Sequence, residues 1–139
     1  MRHPLLLGLL LLLLTSFVTA QDQTLVYGQP VTNTVSTDQT RFRYSFEGAA
    51  SEVIYLAAFI AQDGLVLELQ LFGPNGTLLG SAVDNALGSM LGPVTLGSAG
   101  RYTVEVAQPD YNQGTIGTFD LLLDRAALTP VKPDGRYTG

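Results

Sequence analysis

The side chains that could carry out chemistry in this 139-residue chain are mainly carboxylates and tyrosines. Cysteine and tryptophan are absent, and the one histidine, His3, lies near the N-terminus. A Ser-His-Asp triad, a Cys-His pair and a histidine-ligated zinc site each need a residue type that the rest of the chain lacks. Paired carboxylates could act as acid and base, but the acidic residues are mostly isolated at turns or alternate strand positions. We therefore predict that the protein has no catalytic site and is not an enzyme.

Five oxygen-donor residues in predicted loops or at strand ends are candidate calcium ligands. They are Asp63, Asp84, Asn85, Asp110 and Asp120. Calcium binds about six to eight oxygens that converge on one point, whereas these residues are scattered and form no dense acidic loop. Aspartate and asparagine in turns more often bond the local backbone. We expect no metal site and no cofactor, with a calcium-binding stability module kept as an alternative.

The polar, glycine-containing loop from Gln108 to Gly117 is the best candidate for contact with a partner. Tyr111 lies in this loop next to Asp110, and an exposed tyrosine can serve as a platform for a sugar ring. Tyr44 and Tyr102 fall on the inward side of alternating strands, so we expect them in the core. Asp110 and Tyr111 are therefore the predicted partner-binding residues, with an ordinary surface tyrosine as the competing interpretation.

The balance of charge narrows the classes of partner. The chain carries 12 acidic against seven basic residues, a formal net charge of −5. Such a surface disfavours nucleic acid and anionic membranes. Arg41 and Arg43 form the only close basic pair, and we expect both on a solvated strand face. The expected partner is a polysaccharide or another exported protein, and not a nucleic acid.

The first 20 residues show the pattern of a signal peptide. Arg2 gives a positive start, Leu5 to Leu14 is leucine apart from one glycine, and small residues precede the end at Ala20. We predict cleavage between Ala20 and Gln21. The leucine-rich run is shorter than the roughly 20 apolar residues that span a membrane. We therefore expect a secreted protein, extracellular or periplasmic, with no membrane insertion after cleavage and, without cysteine, no disulfides. The alternative is an uncleaved N-terminal anchor extended through Phe17 and Val18.

The rest of the chain divides into short alternating segments separated by turn residues. Apolar side chains recur at every second position, as in half-buried antiparallel strands. The clearest of these segments are Arg41 to Phe46, Leu65 to Phe72, Arg101 to Val106 and Thr118 to Leu123. There is no long helical period and no internal repeat. The pattern predicts an all-β fold, a single antiparallel β-sandwich or jelly-roll-like domain of about eight or nine strands.

Four weaker segments carry more specific expectations. We expect strands at Thr24 to Tyr27 and at Val53 to Ile60, although the second run is apolar enough for a buried helix. Thr77 to Leu79 is expected to form a short strand. Ser81 to Met90 is small, polar and weakly patterned, so we expect a loop there.

Five segments follow one another in a recognisable order along the chain. They are Tyr27 to Ser36, Phe42 to Gly48, Leu69 to Leu79, Ser98 to Val106 and Gly117 to Leu121. In the fourth, a glycine turn leads into Tyr102, Val104 and Val106 at alternate positions. Together the segments resemble the bacterial pre-peptidase C-terminal domain family, over roughly residues 25–125. The resemblance implies a secreted β-sandwich.

The resemblance also implies an accessory role, because this family is often attached to exported peptidases and other surface proteins. We predict a signal peptide at residues 1–20, the sandwich at 21–125 and a proline-containing tail or linker at 126–139. The predicted function is a non-catalytic secreted module that contacts a cell-surface polymer or another exported protein. Two alternatives stay open: the calcium-binding stability module, and an N-terminal fragment of a larger secreted protein, for example one linked to a hydrolase.

Overall fold

Nine strands and one short 3₁₀ turn form the part of the protein that a computed structural model describes, residues 22–62, 64–84 and 88–126. The predicted cleavage site at Ala20 and Gln21, the chain beyond Ala126, Asp63 and Asn85 lie outside these residues. The elements are β1 Gln23–Thr24, β2 Val31–Val35, β3 Arg41–Gly48, β4 Val53–Ile60, β5 Leu67–Phe72, β6 Leu78–Asp84, β7 Gly88–Thr95, β8 Gly100–Ala107, the 3₁₀ turn Asp110–Asn112 and β9 Gly117–Arg125.

The strands form two sheets that pack face to face. Sheet A has the order β1-β3-β8-β5-β6, and sheet B has the order β2-β9-β4-β7. Neighbouring strands are antiparallel except β1 and β3, which run parallel. The predicted all-β sandwich of eight or nine strands is therefore confirmed. Within the described ranges no helix could cross a membrane, since the one helical turn has three residues.

Alternation along the strands builds the core between the two sheets. Tyr102 on β8 is buried and stacks on Phe46, with ring centroids 5.4 Å apart. Its hydroxyl donates a hydrogen bond to the carbonyl of Ser98 at 2.6 Å. Tyr44 on β3 is also buried, so both predicted core tyrosines are confirmed. Further fully buried side chains are Val104, Val106, Leu67, Leu69, Leu71, Phe119, Leu121 and Leu123. Each lies at every second position of its strand, because successive side chains face opposite sides.

The two sheets meet along their edge strands β6 and β7. The prediction of a loop at Ser81 to Met90 is wrong for most of that segment. β6 ends and β7 begins within this segment. A Cβ on Gly88 would lie 1.8 Å from the carbonyl oxygen of Ala58, and one on Gly80 would lie 3.1 Å from Leu91. Gly88 thus lets β7 lie close to the backbone of β4, and Gly80 lets β6 lie close to β7. The same small residues weaken the strand pattern, which explains the error.

The segment before β2 passes from one sheet to the other. The strand expected at Thr24 to Tyr27 is wrong for most of its length, because β1 is Gln23–Thr24 and includes only the first of these residues. The N–H of Leu25 still donates to Ser45 on sheet A, whereas the N–H of Gly28 donates to Leu123 on sheet B. The chain therefore leaves sheet A after one further hydrogen bond. The run at 53–60 forms β4, in agreement with its interpretation as a strand.

Candidate functional site

Asp110 and Tyr111, the two residues predicted from the sequence to bind a partner, lie side by side on the 3₁₀ turn that follows β8. Both side chains are exposed, and Tyr111 is 74% exposed, more than any other large apolar or aromatic residue described. Pro109 precedes the turn with extended backbone. The sequence thus placed an exposed aromatic ring correctly in a loop outside the core.

Side-chain amides fix the backbone of this loop. Asn112 accepts a hydrogen bond from the N–H of Val66 and donates one to the carbonyl of Gly64, both at 2.8 Å. The buried Gln108 amide donates to the carbonyls of Asn112 and Thr115. Satisfied amide networks of this kind hold a loop in one conformation. Neither Gln108 nor Asn112 was identified from the sequence as an anchor of this loop. Their only signal was an amide side chain near each end of the turn.

A polar groove adjoins the loop on the outer face of sheet A. We call it the Tyr111 groove; it has a volume of about 510 Å³. Its polar and aromatic lining is Arg41, Glu68, Gln70, Gln108, Asp110 and Tyr111. Three strands of sheet A and the loop meet here, so the groove exists only in the folded chain. Its chemistry combines one aromatic ring with carboxylate, amide and guanidinium groups.

Arg41 separates the Tyr111 groove from a second depression, of about 330 Å³, near the edge of sheet A. Its guanidinium pairs with Glu105, and that of Arg43 lies 3.5 Å from Asp22. Both arginine side chains are more than 60% exposed, 67% and 62%, which confirms the expected solvated strand face. The cations of this face are thus balanced by nearby carboxylates.

Tyr44 lies at the base of the second depression and joins the two sheets. Asn33 on β2 donates a hydrogen bond to its hydroxyl at 2.6 Å. Burial raises the pKa of Tyr44 to about 12, against a smaller lowering from the Asn33 hydrogen bond. The hydroxyl is therefore neutral and structural at physiological pH, and it offers no nucleophile or base.

A second tyrosine cluster lies at the other end of the sandwich. Tyr27 donates its hydroxyl to Glu52, which also binds Arg125 at 3.1 Å. The guanidinium carbon of Arg125 lies 3.9 Å from the centre of the Tyr27 ring. Burial, followed by the Glu52 hydrogen bond, raises the pKa of Tyr27 to about 12. The hydroxyl, carboxylate and guanidinium groups of this cluster interact with one another. The cluster therefore ties the segment before β2 to β9, and we do not regard it as a binding site.

The candidate calcium ligands are not brought together among the described residues. Asp110 borders the Tyr111 groove on sheet A, whereas Asp120 lies on the outer side of sheet B and accepts a hydrogen bond from Thr32. Asp63, Asn85 and the side chain of Asp84 lie outside what the structure describes. Within the described ranges no three acidic or histidine side chains are close enough to share a metal ion.

Comparison with known proteins relates the fold to other β-sandwiches. No family model and no curated protein sequence matches the chain. The pre-peptidase C-terminal domain of a collagenase from Bacillus anthracis superposes with a TM-score of 0.62 and 13% identity, over 75% of this chain and 95% of that domain. The periplasmic inhibitors of g-type lysozyme, PliG, follow. The Aeromonas hydrophila protein gives a TM-score of 0.58, 11% identity and coverage of 76% and 96%.

The PliG of Salmonella Typhimurium gives a TM-score of 0.52 and 15% identity, over 76% of this chain and 99% of the inhibitor. These identities are too low to carry function, so the likeness shows the fold alone. It agrees with the sandwich implied by the resemblance to the pre-peptidase C-terminal domain family.

Proposed function

We propose that this chain is an exported, non-catalytic binding module that holds a surface polysaccharide in the Tyr111 groove. The observation that carries the proposal is a highly exposed tyrosine on a loop whose backbone is fixed by the amides of Gln108 and Asn112. A loop that is already ordered loses little entropy on binding, which favours affinity.

The chemistry of the groove fits a sugar chain better than a protein surface. The ring of Tyr111 offers an apolar face for the C–H side of a sugar ring. Glu68, Gln70 and Asp110 line the same groove and can bond hydroxyl groups. A polysaccharide supplies many hydroxyls, and an uncharged stretch of it suits a lining in which Arg41 is already paired with Glu105.

Two further lines of support concern the non-catalytic character of the proposed module. The chain after the predicted leader has no histidine or cysteine, which removes the common nucleophile and base pairs. Two of the structural neighbours are periplasmic inhibitors of an enzyme, so the fold is used for binding in other exported proteins. Export of this chain is proposed on the N-terminal leucine-rich pattern.

The test is co-sedimentation of the purified chain with insoluble peptidoglycan, chitin and cellulose, alongside binding to a soluble g-type lysozyme. We expect at least one polysaccharide to retain the chain, and the Tyr111→Ala variant to bind it at least about tenfold more weakly. Tyr55→Ala is the matched control, because Tyr55 is a partly exposed tyrosine on the opposite sheet. Retention that survives Tyr111→Ala, or release of soluble sugar by the purified chain, would contradict the proposal.

A further inference from the structure

The outer side of sheet B carries a cluster of exposed apolar side chains. Tyr55 and Phe59 on β4 are 36% and 49% exposed, and Met90 on the edge strand β7 is 63% exposed. Half-buried Leu122 on β9 lies in the same row of the sheet as Met90, because both pair with Ala57 between them. A contiguous exposed apolar patch on a globular domain commonly marks a contact surface.

Two carboxylates border this cluster along β9. Asp124 lies opposite Tyr55 and Asp120 lies opposite Phe59 in the strand register. We call the six side chains together the sheet B face: Tyr55, Phe59, Met90, Leu122, Asp120 and Asp124. Threonines on β2 continue the face as a polar margin, since Thr32 pairs with Asp120. An apolar centre with a polar margin is the usual anatomy of a protein interface, and aromatic residues and methionine are enriched in it.

The carboxylates of the sheet B face have no cation among the described residues. Every salt bridge described involves other acids, namely Glu105, Asp22 and Glu52. Asp120 accepts a hydrogen bond from the neutral Thr32 hydroxyl, and Asp124 accepts one from the backbone N–H of Arg125. The face is therefore apolar and negatively charged, and its complement is a surface that is apolar and positively charged.

We propose that the sheet B face docks a cationic exported protein, whose lysines or arginines pair with Asp120 and Asp124 while its apolar side chains cover Phe59 and Met90. A second copy of this chain is a poorer occupant, because it would bring carboxylates against carboxylates and carries a net charge of −5. A polysaccharide would leave both carboxylates without a counter-charge. The inference is independent of the Tyr111 groove, which lies on the outer side of the other sheet.

The test uses the full chain and three synthetic peptides of equal length: alternating lysine and leucine, alternating glutamate and leucine, and polylysine. We expect the lysine-leucine peptide to bind most tightly and to shift NMR amide signals on β4, β7 and β9. The double variant Asp120→Asn/Asp124→Asn should weaken this binding at least about tenfold, a loss of roughly 1.4 kcal/mol. The single variant Phe59→Ser should weaken binding of the lysine-leucine peptide but leave that of polylysine unchanged.

The matched control is Asp38→Asn/Glu47→Gln, which removes the same net charge from exposed positions away from the sheet B face. Equal weakening by this control would overturn the proposal, because attraction would then depend on net charge alone. A dimer in sedimentation experiments that Phe59→Ser dissociates would overturn it in favour of a second copy. Tighter peptide binding after Lys132→Gln/Arg136→Gln would overturn it in favour of the chain's own C-terminal residues. Thermal melting of each variant confirms that the fold is intact.

Discussion

The outer faces of the two sheets differ in whether two charged residues on each have a partner of opposite charge. Sheet A presents Arg41 and Arg43 beside carboxylates, and both arginines are paired. Sheet B presents Asp120 and Asp124, and neither has a cation partner among the described residues. The strand alternation is the same on both sheets. The difference comes from which side chains the fold brings within reach of each charge.

The neighbours of each charge in the folded chain account for this contrast. Glu105 on β8 lies directly opposite Arg43 but pairs with Arg41, on the same face of sheet A. Arg43 lies close to Asp22, just before β1. Asp120 lies opposite Phe59 on β4, so sheet B sets a carboxylate against an aromatic ring. Opposite charges across a strand pair stabilise a sheet locally. Arg41 and Arg43 on sheet A are therefore paired within the chain, whereas Asp120 and Asp124 on the sheet B face have no cation among the described residues.

The largest expected effect comes from the shared core, since loss of the core would abolish both faces together. Tyr102→Ala removes a buried ring that stacks on Phe46 and should lower the free energy of unfolding by about 3 to 5 kcal/mol. Tyr111→Ala, at an exposed site, should change it by less than about 0.5 kcal/mol. Urea denaturation measures both variants. Similar losses for the two tyrosines would show that the core assignment is wrong.

The buried hydroxyl of Tyr44, which links the two sheets through Asn33 on β2, should stabilise the fold less at high pH. The pKa of Tyr44 is raised from its ordinary value of 10.0 to about 12 in the folded chain, so the neutral form is favoured by folding. Its stabilisation is complete below pH 10 and is lost as the pH rises from 10 to 12, by about 2 to 3 kcal/mol for a shift of this size. Tyr27, whose pKa is raised to about 12, acts in the same direction.

Urea denaturation at pH 9 and at pH 11.5 measures this loss for Tyr44. The Tyr44→Phe variant should lose much of the pH dependence, because it has no hydroxyl to ionise. Tyr111→Phe is the control and should keep the dependence of the original chain. An unchanged slope in Tyr44→Phe would rule out this residue as the cause.

A smaller effect separates the two outer faces directly. Arg41→Gln breaks the pair with Glu105 and should lower the free energy of unfolding by up to about 1 kcal/mol at low salt, less at high salt. Asp120→Asn removes a charge without a described cation and should leave stability unchanged or slightly higher, because the chain is net acidic. Thermal melting at low and high salt compares them. A larger loss for Asp120→Asn would reverse the contrast.

The smallest expected effect concerns calcium. Asp110 and Asp120 lie on different outer faces, so they cannot share one ion. We expect the melting temperature to be the same with calcium and with a chelator. Differential scanning calorimetry measures it, with magnesium as the control ion. A calcium-specific rise would support the alternative of a stability module and would direct attention to the remaining candidate ligands, Asp63, Asp84 and Asn85.

Much of the fold could be predicted because its strands bury every second residue. That two-residue period predicted that Tyr44 and Tyr102 face inward, without knowledge of any contact. The same logic failed at Ser81 to Met90, where β6 and β7 are edge strands and glycines make room for neighbouring backbone. An edge strand needs apolar side chains along only part of one face, so its alternation of apolar and polar residues is weak.

The candidate surfaces were predicted unevenly. Asp110 and Tyr111 stood out as an aromatic and an acid in a polar loop, but the amide anchors at Gln108 and Asn112 bond residues up to 48 positions away in sequence. The sheet B face was missed altogether. Its signal was the nearly continuous apolar run at 53–60, which implied apolar residues on both sides of β4.

The sequence by itself determined the alternation of the strands, the two inward tyrosines, the absence of histidine and cysteine chemistry in the domain, and the exposed loop at Tyr111. These follow from properties of single residues and from the two-residue period of a strand. Only the tertiary structure decided which charges lie beside an opposite charge, as Arg41 and Arg43 do, and which have no such neighbour among the described residues, as with Asp120 and Asp124. That depends on register between strands far apart in the chain, and a register is fixed by packing of the whole core and not by any one segment.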